Sequence, residues 1–215
     1  EDPKSPISEA YRGLRTSLMY SKNNEKRSNF LLVSSSGPGE GKTTTIANLA
    51  ITYANLGKRT LLVDSDLRKP VLHNVFKIDK TPGLTSFLSN NSSLKSIINK
   101  TGINNLDVVT SGVIPPNPSE LLSSNKMNEF IDSVSSDYDQ ILFDTPPLIA
   151  VTDAYVLLKY VQQFVLVIRA GVTERGALER VLTAVNQSEM NLSGIVMNAI
   201  TEEHSYGAGY YYNYY

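Results

Sequence analysis

The chain has 215 residues, 41% of them hydrophobic, which is enough to bury a full core in one domain. Its 20 basic and 21 acidic residues leave a formal net charge of −1, so no global field draws it to nucleic acid or anionic lipid. It contains no cysteine, which excludes a disulfide framework, a thiolate metal site and a cysteine nucleophile. The longest apolar runs, such as Phe164 to Ile168, fall far short of the ~20 residues that span a bilayer, and Glu1 onward does not read as a signal peptide.

Ile7 to Tyr20 (ISEAYRGLRTSLMY) has the spacing of an amphipathic helix, with Ser8 as N-cap and Tyr11, Leu14 and Leu18 on one face. Glu9, Arg12 and Arg15 follow at three-residue steps along one flank, either as a solvated ionic face or as an interface patch. Ser21 to Asn29 is polar and linker-like.

Phe30 to Thr45, FLLVSSSGPGEGKTTT, is the stretch around which the chain is organised. An apolar run from Phe30 to Val33 feeds a Gly-rich turn, Gly37-Pro38-Gly39-Glu40-Gly41. Lys42, Thr43 and Thr44 then open a helix with Ile46, Leu49, Ala50 and Tyr53 at helical spacing. A loop of this kind at a helix N-terminus aims backbone N–H groups at one point and suits a polyphosphate. Lys42 would bridge the β- and γ-phosphates of such a ligand, and the Thr43 hydroxyl would face Mg²⁺. Ser36 stands where G-x-x-x-x-G-K-[ST] has its first Gly.

Gly57 ends that helix, and Thr60 to Asp64 is a strand running into DSDLRKP. Helical pieces are expected near Leu84 to Leu88 and Leu94 to Ile98, and a strand at Leu106 to Thr110. Asn117-Pro118-Ser119-Glu120 reads as a helix start, followed by a face of Met127, Phe130, Ile131 and Val134. Gln140 to Asp144 (QILFD) is a strand ending in a TPP turn, and a helix should run from Asp153 to about Tyr160. Phe164 to Ile168 is a buried-type strand. Thr173 caps a helix with Ala177, Leu178, Val181, Leu182 and Val185 on one face, and Gly194 to Ala199 is the last strand. Apolar strands alternating with amphipathic helices indicate an α/β fold with a mostly parallel central sheet covered on both faces, its ligand crevice outside the carboxyl ends of the strands.

Two of those strands end in acid, at Asp64 (with Asp66 two residues on) and at Asp144. Hydrated Mg²⁺ takes few protein ligands and prefers a carboxylate plus phosphate oxygens, so Asp66 and Asp144 join Thr43 as candidate metal residues. Asp64 and Asp66 would face the same way on an extended backbone, one orienting a metal-bound water and the other taking a proton, with an exchange of those roles left open. A base matters if the acceptor is tyrosine, because a phenol with pKa near ~10 is scarcely ionised at pH 7. Arg68 and Lys69 either steady phosphate charge or lie solvated. Neither His73 nor His204 has a convergent partner in the sequence.

The last ten residues, YGAGYYYNYY, hold six tyrosines: Tyr206, Tyr210, Tyr211, Tyr212, Tyr214 and Tyr215. With Gly207 and Gly209 and no apolar periodicity, they read as a flexible terminus, dividing the chain into a domain at 1–200 and a tail at 201–215.

Together these stretches resemble the cytoplasmic single-domain tyrosine kinases of bacterial capsular and exopolysaccharide biosynthesis, over nearly the whole chain. SSSGPGEGKTTT is similar to that family's P-x-x-G-K-[ST] form of Walker A, which accommodates Ser36. LLVDSDLRKP resembles its Walker A′ motif, ILFDTPP its Walker B, and SGVIPPNPSELL a typical stretch of these kinases. EAYRGLR matches the E-x-x-R-x-x-R oligomerisation motif at Glu9, Arg12 and Arg15, and the terminal cluster matches the autophosphorylated tail.

The resemblance implies a P-loop NTPase-like fold, ATP- and Mg²⁺-dependent phosphorylation of protein tyrosine, and a catalytic set of Lys42, Asp64, Asp66 and Asp144. It also implies a ring-like homo-oligomer, a membrane adaptor of the polysaccharide chain-length regulator type and a cognate tyrosine phosphatase. The chain would then be cytoplasmic, peripheral to the membrane through that adaptor. A partitioning ATPase of the deviant Walker A class carries a signature Lys five residues before the P-loop Lys, a position held here by Gly37. A non-catalytic nucleotide-gated scaffold for polysaccharide assembly is the other reading the sequence leaves open.

Overall fold

A computed structural model describes residues 5–21, 29–187 and 192–200. The tail tyrosines, His204 and most of the linker at 21–29 lie outside them. In chain order the elements are α1 (Pro6–Tyr20), β1 (Phe30–Ser35), α2 (Lys42–Asn55), β2 (Thr60–Asp64), α3 (Leu72–Phe76), α4 (Leu84–Leu88), α5 (Leu94–Ile97) and β3 (Ile98–Lys100). They continue with β4 (Leu106–Val109), α6 (Pro118–Leu122), α7 (Asn125–Ser135), β5 (Gln140–Asp144), α8 (Asp153–Leu158), β6 (Gln163–Arg169), α9 (Arg175–Gln187) and β7 (Leu192–Asn198).

The strands form one seven-stranded sheet in the order β3-β4-β2-β5-β1-β6-β7, parallel throughout except for β3, which runs antiparallel beside β4. The α/β fold read from the sequence is therefore present, with β3 and α3 as additions that no periodic pattern announced. Alternation places the core on both faces. Phe30, Leu32, Leu61, Val63, Ile141 and Phe143 pack with α7 and α8 on one side. Leu31, Val33, Leu62 and Leu142 pack with Ile46, Leu49, Ala50 and Tyr53 of α2 on the other. Strands buried on both faces read as continuous apolar runs because a parallel sheet needs helices on each side.

Two local expectations are corrected. The N-cap of α1 is Ser5, whose hydroxyl accepts the Ser8 N–H at 3.2 Å, so Ser8 lies inside the first turn. The preceding Pro6 is what allows the earlier start, since proline costs nothing at N1. Thr173 does not cap α9: its hydroxyl accepts the Arg169 N–H at 2.8 Å and donates to Glu40, whereas Leu178 N–H closes on Glu174 O. The helix start read at Asn117-Pro118-Ser119-Glu120 is present: Asn117 is at the N-cap position of α6, and its side-chain amide donates to Glu120 Oε2 at 3.0 Å.

The ionic flank of α1 divides. Glu9 and Arg12 pair at 2.7 Å in the open, while Arg15 Nη1 turns onto α2 and donates to Thr52 O at 2.8 Å. No helix among the described residues is long and apolar enough to cross a membrane.

Candidate active site

The parallel order puts the carboxyl ends of β1, β2 and β5 side by side, with β5 between the other two. Register then decides which residues meet: Asp64 of β2 pairs with Asp144 of β5, and Asp144 pairs with Val33 of β1, just before the Gly-rich loop. The TPP turn after Asp144 is zipped onto β1. Thr145 Oγ1 donates to Val33 O at 3.0 Å, Ser34 Oγ to Pro146 O at 2.8 Å, and Leu148 N–H to Ser35 O at 2.9 Å.

At this edge α2 begins on Lys42, and Gly41 precedes it with φ +93°, a backbone that L side chains rarely adopt. A Cβ on Gly41 would also lie 2.0 Å from Asn198 Nδ2, so the position accepts glycine on both counts. Pro38, Gly39 and Thr44 are exposed along the loop and first turn, while Lys42 and Thr43 are half-buried.

Lys42 Nζ lies 3.1 Å from Asp66 Oδ2 and 3.5 Å from Asp144 Oδ1, and donates to Thr43 Oγ1 at 3.1 Å. Thr43 Oγ1 donates to Asp144 Oδ2 at 2.6 Å. Asp66 sits past the end of β2, where its Oδ1 accepts the Lys69 N–H at 2.9 Å. Asp64 is fully buried, accepts the Leu72 N–H at 3.1 Å through Oδ2, and has no hydrogen-bond partner on Oδ1. The fold thus gathers Lys42, Thr43, Asp64, Asp66 and Asp144 at one point.

The electrostatics follow from that crowding. Burial, reinforced by the neighbouring Asp144, pushes the Asp64 carboxyl up to about 7. Burial also raises Asp144, against the pull of Lys42 and the Thr43 hydroxyl. Burial opposes the Lys42 charge, but Asp144 and Asp66 outweigh it and hold the ammonium above its ordinary value. Three carboxylates share a single ammonium, so the pocket carries excess negative charge when all are ionised.

That excess is what a divalent cation would neutralise. The donor set fits Mg²⁺: a carboxylate and a hydroxyl 2.6 Å apart in the first turn of α2, just past the Gly-rich loop, with Asp66 beside them. Among the described residues no group of three or more His, Cys, Asp or Glu forms a ready-made metal cage, in keeping with an ion that takes the rest of its shell from water and phosphate.

Arg68 does not project freely. It forks onto Asp153 at the start of α8, Nε to Oδ2 at 2.8 Å and Nη2 to Oδ1 at 3.0 Å, and the Ser119 hydroxyl donates to the same carboxylate. Those hydrogen bonds hold Asp153 below the usual carboxylate range although burial opposes them. The sequence reads Asp153 only as a helix start and gives Ser119 no contact role, since no spacing announces partners 85 residues apart, Arg68 and Asp153, or 34 apart, Ser119 and Asp153. Lys69 is exposed. A cavity of ≈ 390 Å³ lined by Arg59, Lys100, Asp107 and Tyr138 lies at the opposite, amino edge of β2 and β4 and takes no part in this site.

A family model described as an AAA domain matches residues 30–197. The chain is 41% identical over 208 residues to tyrosine-protein kinase YwqD of Bacillus subtilis (strain 168), a match covering 96% of this chain and 87% of that protein. The chain belongs to the bacterial tyrosine kinases. Putative tyrosine-protein kinase CapB of Staphylococcus aureus is 36% identical, with 99% of this chain and 92% of that protein covered. Among solved structures, the chimerical protein CapA2B2 superposes with a TM-score of 0.90 at 38% identity, covering 94% of this chain and 88% of that one. The kinase domain of the Escherichia coli tyrosine kinase ETK also reaches 0.90, at 32% identity over 99% of this chain and 83% of its own. The septum site-determining protein MinD of Pyrococcus horikoshii, complexed with Mg-ADP, shares the P-loop NTPase-like fold at a TM-score of 0.66 and 24% identity, covering 79% of this chain and 69% of that one. This chain is accordingly a protein-tyrosine kinase, and its runner-up likeness to cell-division ATPases is one of fold.

Proposed function

We propose that this kinase moves the γ-phosphoryl group of ATP onto the tyrosines of its own C-terminal cluster, presented by a neighbouring copy, and thereby regulates capsule or exopolysaccharide synthesis and export. The observation that carries this reading is the meeting of Lys42, Thr43, Asp66 and Asp144 around the start of α2, with Asp64 buried behind them.

In this reading the N–H groups at the start of α2 and Lys42 hold the polyphosphate, and Lys42 leaves its carboxylate partners for the β- and γ-oxygens. Thr43 and Asp144, with Asp66 in the water shell, would hold Mg²⁺, which would neutralise charge on the phosphoryl oxygens. Asp64 takes the proton of the acceptor phenol. The tyrosine oxygen forms its bond to γ-phosphorus as the bond from that phosphorus to the β,γ-bridging oxygen breaks, and ADP leaves with the electron pair.

The sheet supports delivery of the tail to this edge. β7 runs parallel to β6 and β6 to β1, so Asn198 ends on the P-loop side. Fifteen residues from Thr201 to Tyr215 span at most ~50 Å when extended, enough to reach an adjacent subunit. Glu9, Arg12 and Arg15 are proposed as the contact that builds a ring-like homo-oligomer. A membrane adaptor of the chain-length regulator type would hold the kinase at the membrane and activate it, and a cognate tyrosine phosphatase would reset it. Relatives named for a cps region and for Eps and Cap proteins, and the CapA2B2 chimera, support the polysaccharide assignment.

Mixing a Lys42→Met protein that keeps its tail with an active protein whose six tail tyrosines are Phe tests the reading. Phosphate should appear on the Lys42→Met tail. A bare tail, while the active partner still phosphorylates an added tyrosine substrate, overturns trans delivery.

A further inference from the structure

Glu40 is the acidic residue of the phosphate-binding loop, yet it is 3% exposed. Its carboxylate accepts the Ser36 hydroxyl at 2.7 and 2.9 Å, the Gly37 N–H at 2.8 Å and the Thr173 hydroxyl. The backbone beside it is gripped from the carboxyl ends of β7 and β6: Asn198 Nδ2 donates to Glu40 O at 3.0 Å, and Arg169 Nη1 to Gly39 O at 3.1 Å. Thr173 is itself held by the Arg169 N–H. The carboxyl ends of β6 and β7, with the loop that leaves β6, therefore close on residues 39 and 40.

A carboxylate is an unexpected occupant of a loop built for phosphate. Its charge repels the nucleotide, and by accepting the Gly37 N–H it withdraws that donor from any ligand. An attractive role is excluded by sign. What the contacts do supply is shape. Two residues of this loop, Gly39 and Gly41, have positive φ, and an unpinned glycine-rich loop must lose that freedom each time it binds.

We infer that Glu40 is a positioning residue, an internal acceptor that locks the loop in its binding shape through Ser36 and Thr173, and that the β6–α9 loop thereby sets affinity for MgATP. The inference explains Ser36: the serine in place of the motif's first glycine provides the hydroxyl that Glu40 grips. It rests on the assignment of this loop as the ATP site.

The test is titration of MgATP into the full chain and its variants by calorimetry, with the KM for ATP and kcat measured alongside. Loss of a buried hydrogen bond changes an equilibrium by about two- to tenfold, so Thr173→Val should weaken MgATP binding to that extent, and Glu40→Ala, which frees both hydroxyls, by about tenfold or more. KM should rise more than kcat falls. Glu40→Gln should restore most of the lost affinity. Its amide oxygen can keep the Gly37 N–H while both hydroxyls rotate to accept from the NH₂, and the repelling charge is gone. Thr173→Val should add nothing in a Glu40→Ala background, because both act through one carboxylate. Wild-type binding with an unaltered Kd in Thr173→Val, additive losses in the double variant, or a Glu40→Gln as weak as Glu40→Ala would each overturn the clamp alone. A wild-type chain that binds no MgATP overturns the site assignment as well.

Discussion

Asp64 and Asp144 are register partners on adjacent strands, β2 and β5, and both are fully buried. Parallel neighbours lie ~4.8 Å apart, so the sheet itself forces two carboxylates together where water cannot separate their charges. Such a pair opposes folding in the nucleotide-free protein and stores attraction for a cation. Asp64→Asn removes one of the two charges without changing shape. It should stabilise the nucleotide-free chain by about 1–2 kcal/mol, a rise of a few degrees in Tm, while phosphotyrosine formation falls. Thermal melts and a transfer assay on one preparation check both halves. Normal transfer would remove Asp64 as the base.

Lys42 and Asp144 should both be required for transfer. Lys42→Met and Asp144→Ala each remove a preorganised contact to the transferring group, and a loss of ~10²-fold or more in phosphotyrosine formation is expected. Single-turnover assays measure it, and a near wild-type rate in either variant would take that residue out of the mechanism.

Arg68 half-covers a carboxylate that has no access to water. Asp153 is fully buried, whereas the Arg68 side chain is 42% exposed. Arg68→Ala leaves Asp153 with only hydroxyl and backbone support and should cost about 2 kcal/mol, below the usual range for a fully buried pair because Arg68 is partly solvated. Removing both charges together, as Arg68→Ala with Asp153→Asn, should cost less than Arg68→Ala alone. Urea unfolding of the single and double variants reads the difference.

The α1 flank separates two effects. Arg15→Ala should weaken the docking of α1 on α2 by about 1 kcal/mol, through the lost bond to Thr52 O, and this would appear in the melting of a dilute, monomeric sample. If the proposed ring forms, replacing Glu9, Arg12 and Arg15 together with Ala should in addition lower its sedimentation coefficient. An unchanged oligomer would return Glu9 and Arg12 to an ordinary solvated ion pair.

Tyr53 gives an alkaline signature. Burial pushes its phenol up to about 12, against a lowering by Arg15, from an ordinary value of 10.0. A raised folded-state value means that the native state holds its proton longer than the unfolded chain does. The stability is whole below pH 10 and is lost as pH rises through 12. The total is about 3 kcal/mol at ~1.4 kcal/mol per unit. Tyr53→Phe should lack this part of the slope in unfolding measurements between pH 9 and 12.

Much of the architecture was legible in the sequence because its signals are local. β2 and β5 follow from apolar runs that stop at an acid. α2 follows from Ile46, Leu49, Ala50 and Tyr53, and α7 from Met127, Phe130, Ile131 and Val134, because a helix repeats every 3.6 residues wherever it sits. The run from Gly37 to Thr43 is readable as a glycine-rich turn opening a helix for the same reason. Its geometry is set by glycine and by the helix N-terminus that follows, both readable within a few residues.

What only the tertiary structure decided is which of these local pieces meet. Nothing in LLVD and ILFD says that β2 lies beside β5 in a register that pairs Asp64 with Asp144, because strand order depends on the packing of helices elsewhere in the chain. From the sequence Arg68 reads either as a steadying charge for phosphate or as a solvated side chain, whereas Asp153, 85 residues on, takes its fork. From the sequence Thr173 reads as a cap and Glu40 as part of the turn facing the polyphosphate, although each is the other's partner across 133 residues. Side-chain hydrogen bonds have no period, and donors and acceptors find one another only after the backbone has closed the distance. The sequence therefore determined the chemistry available at the carboxyl edge of the sheet, and the fold determined which groups face one another there.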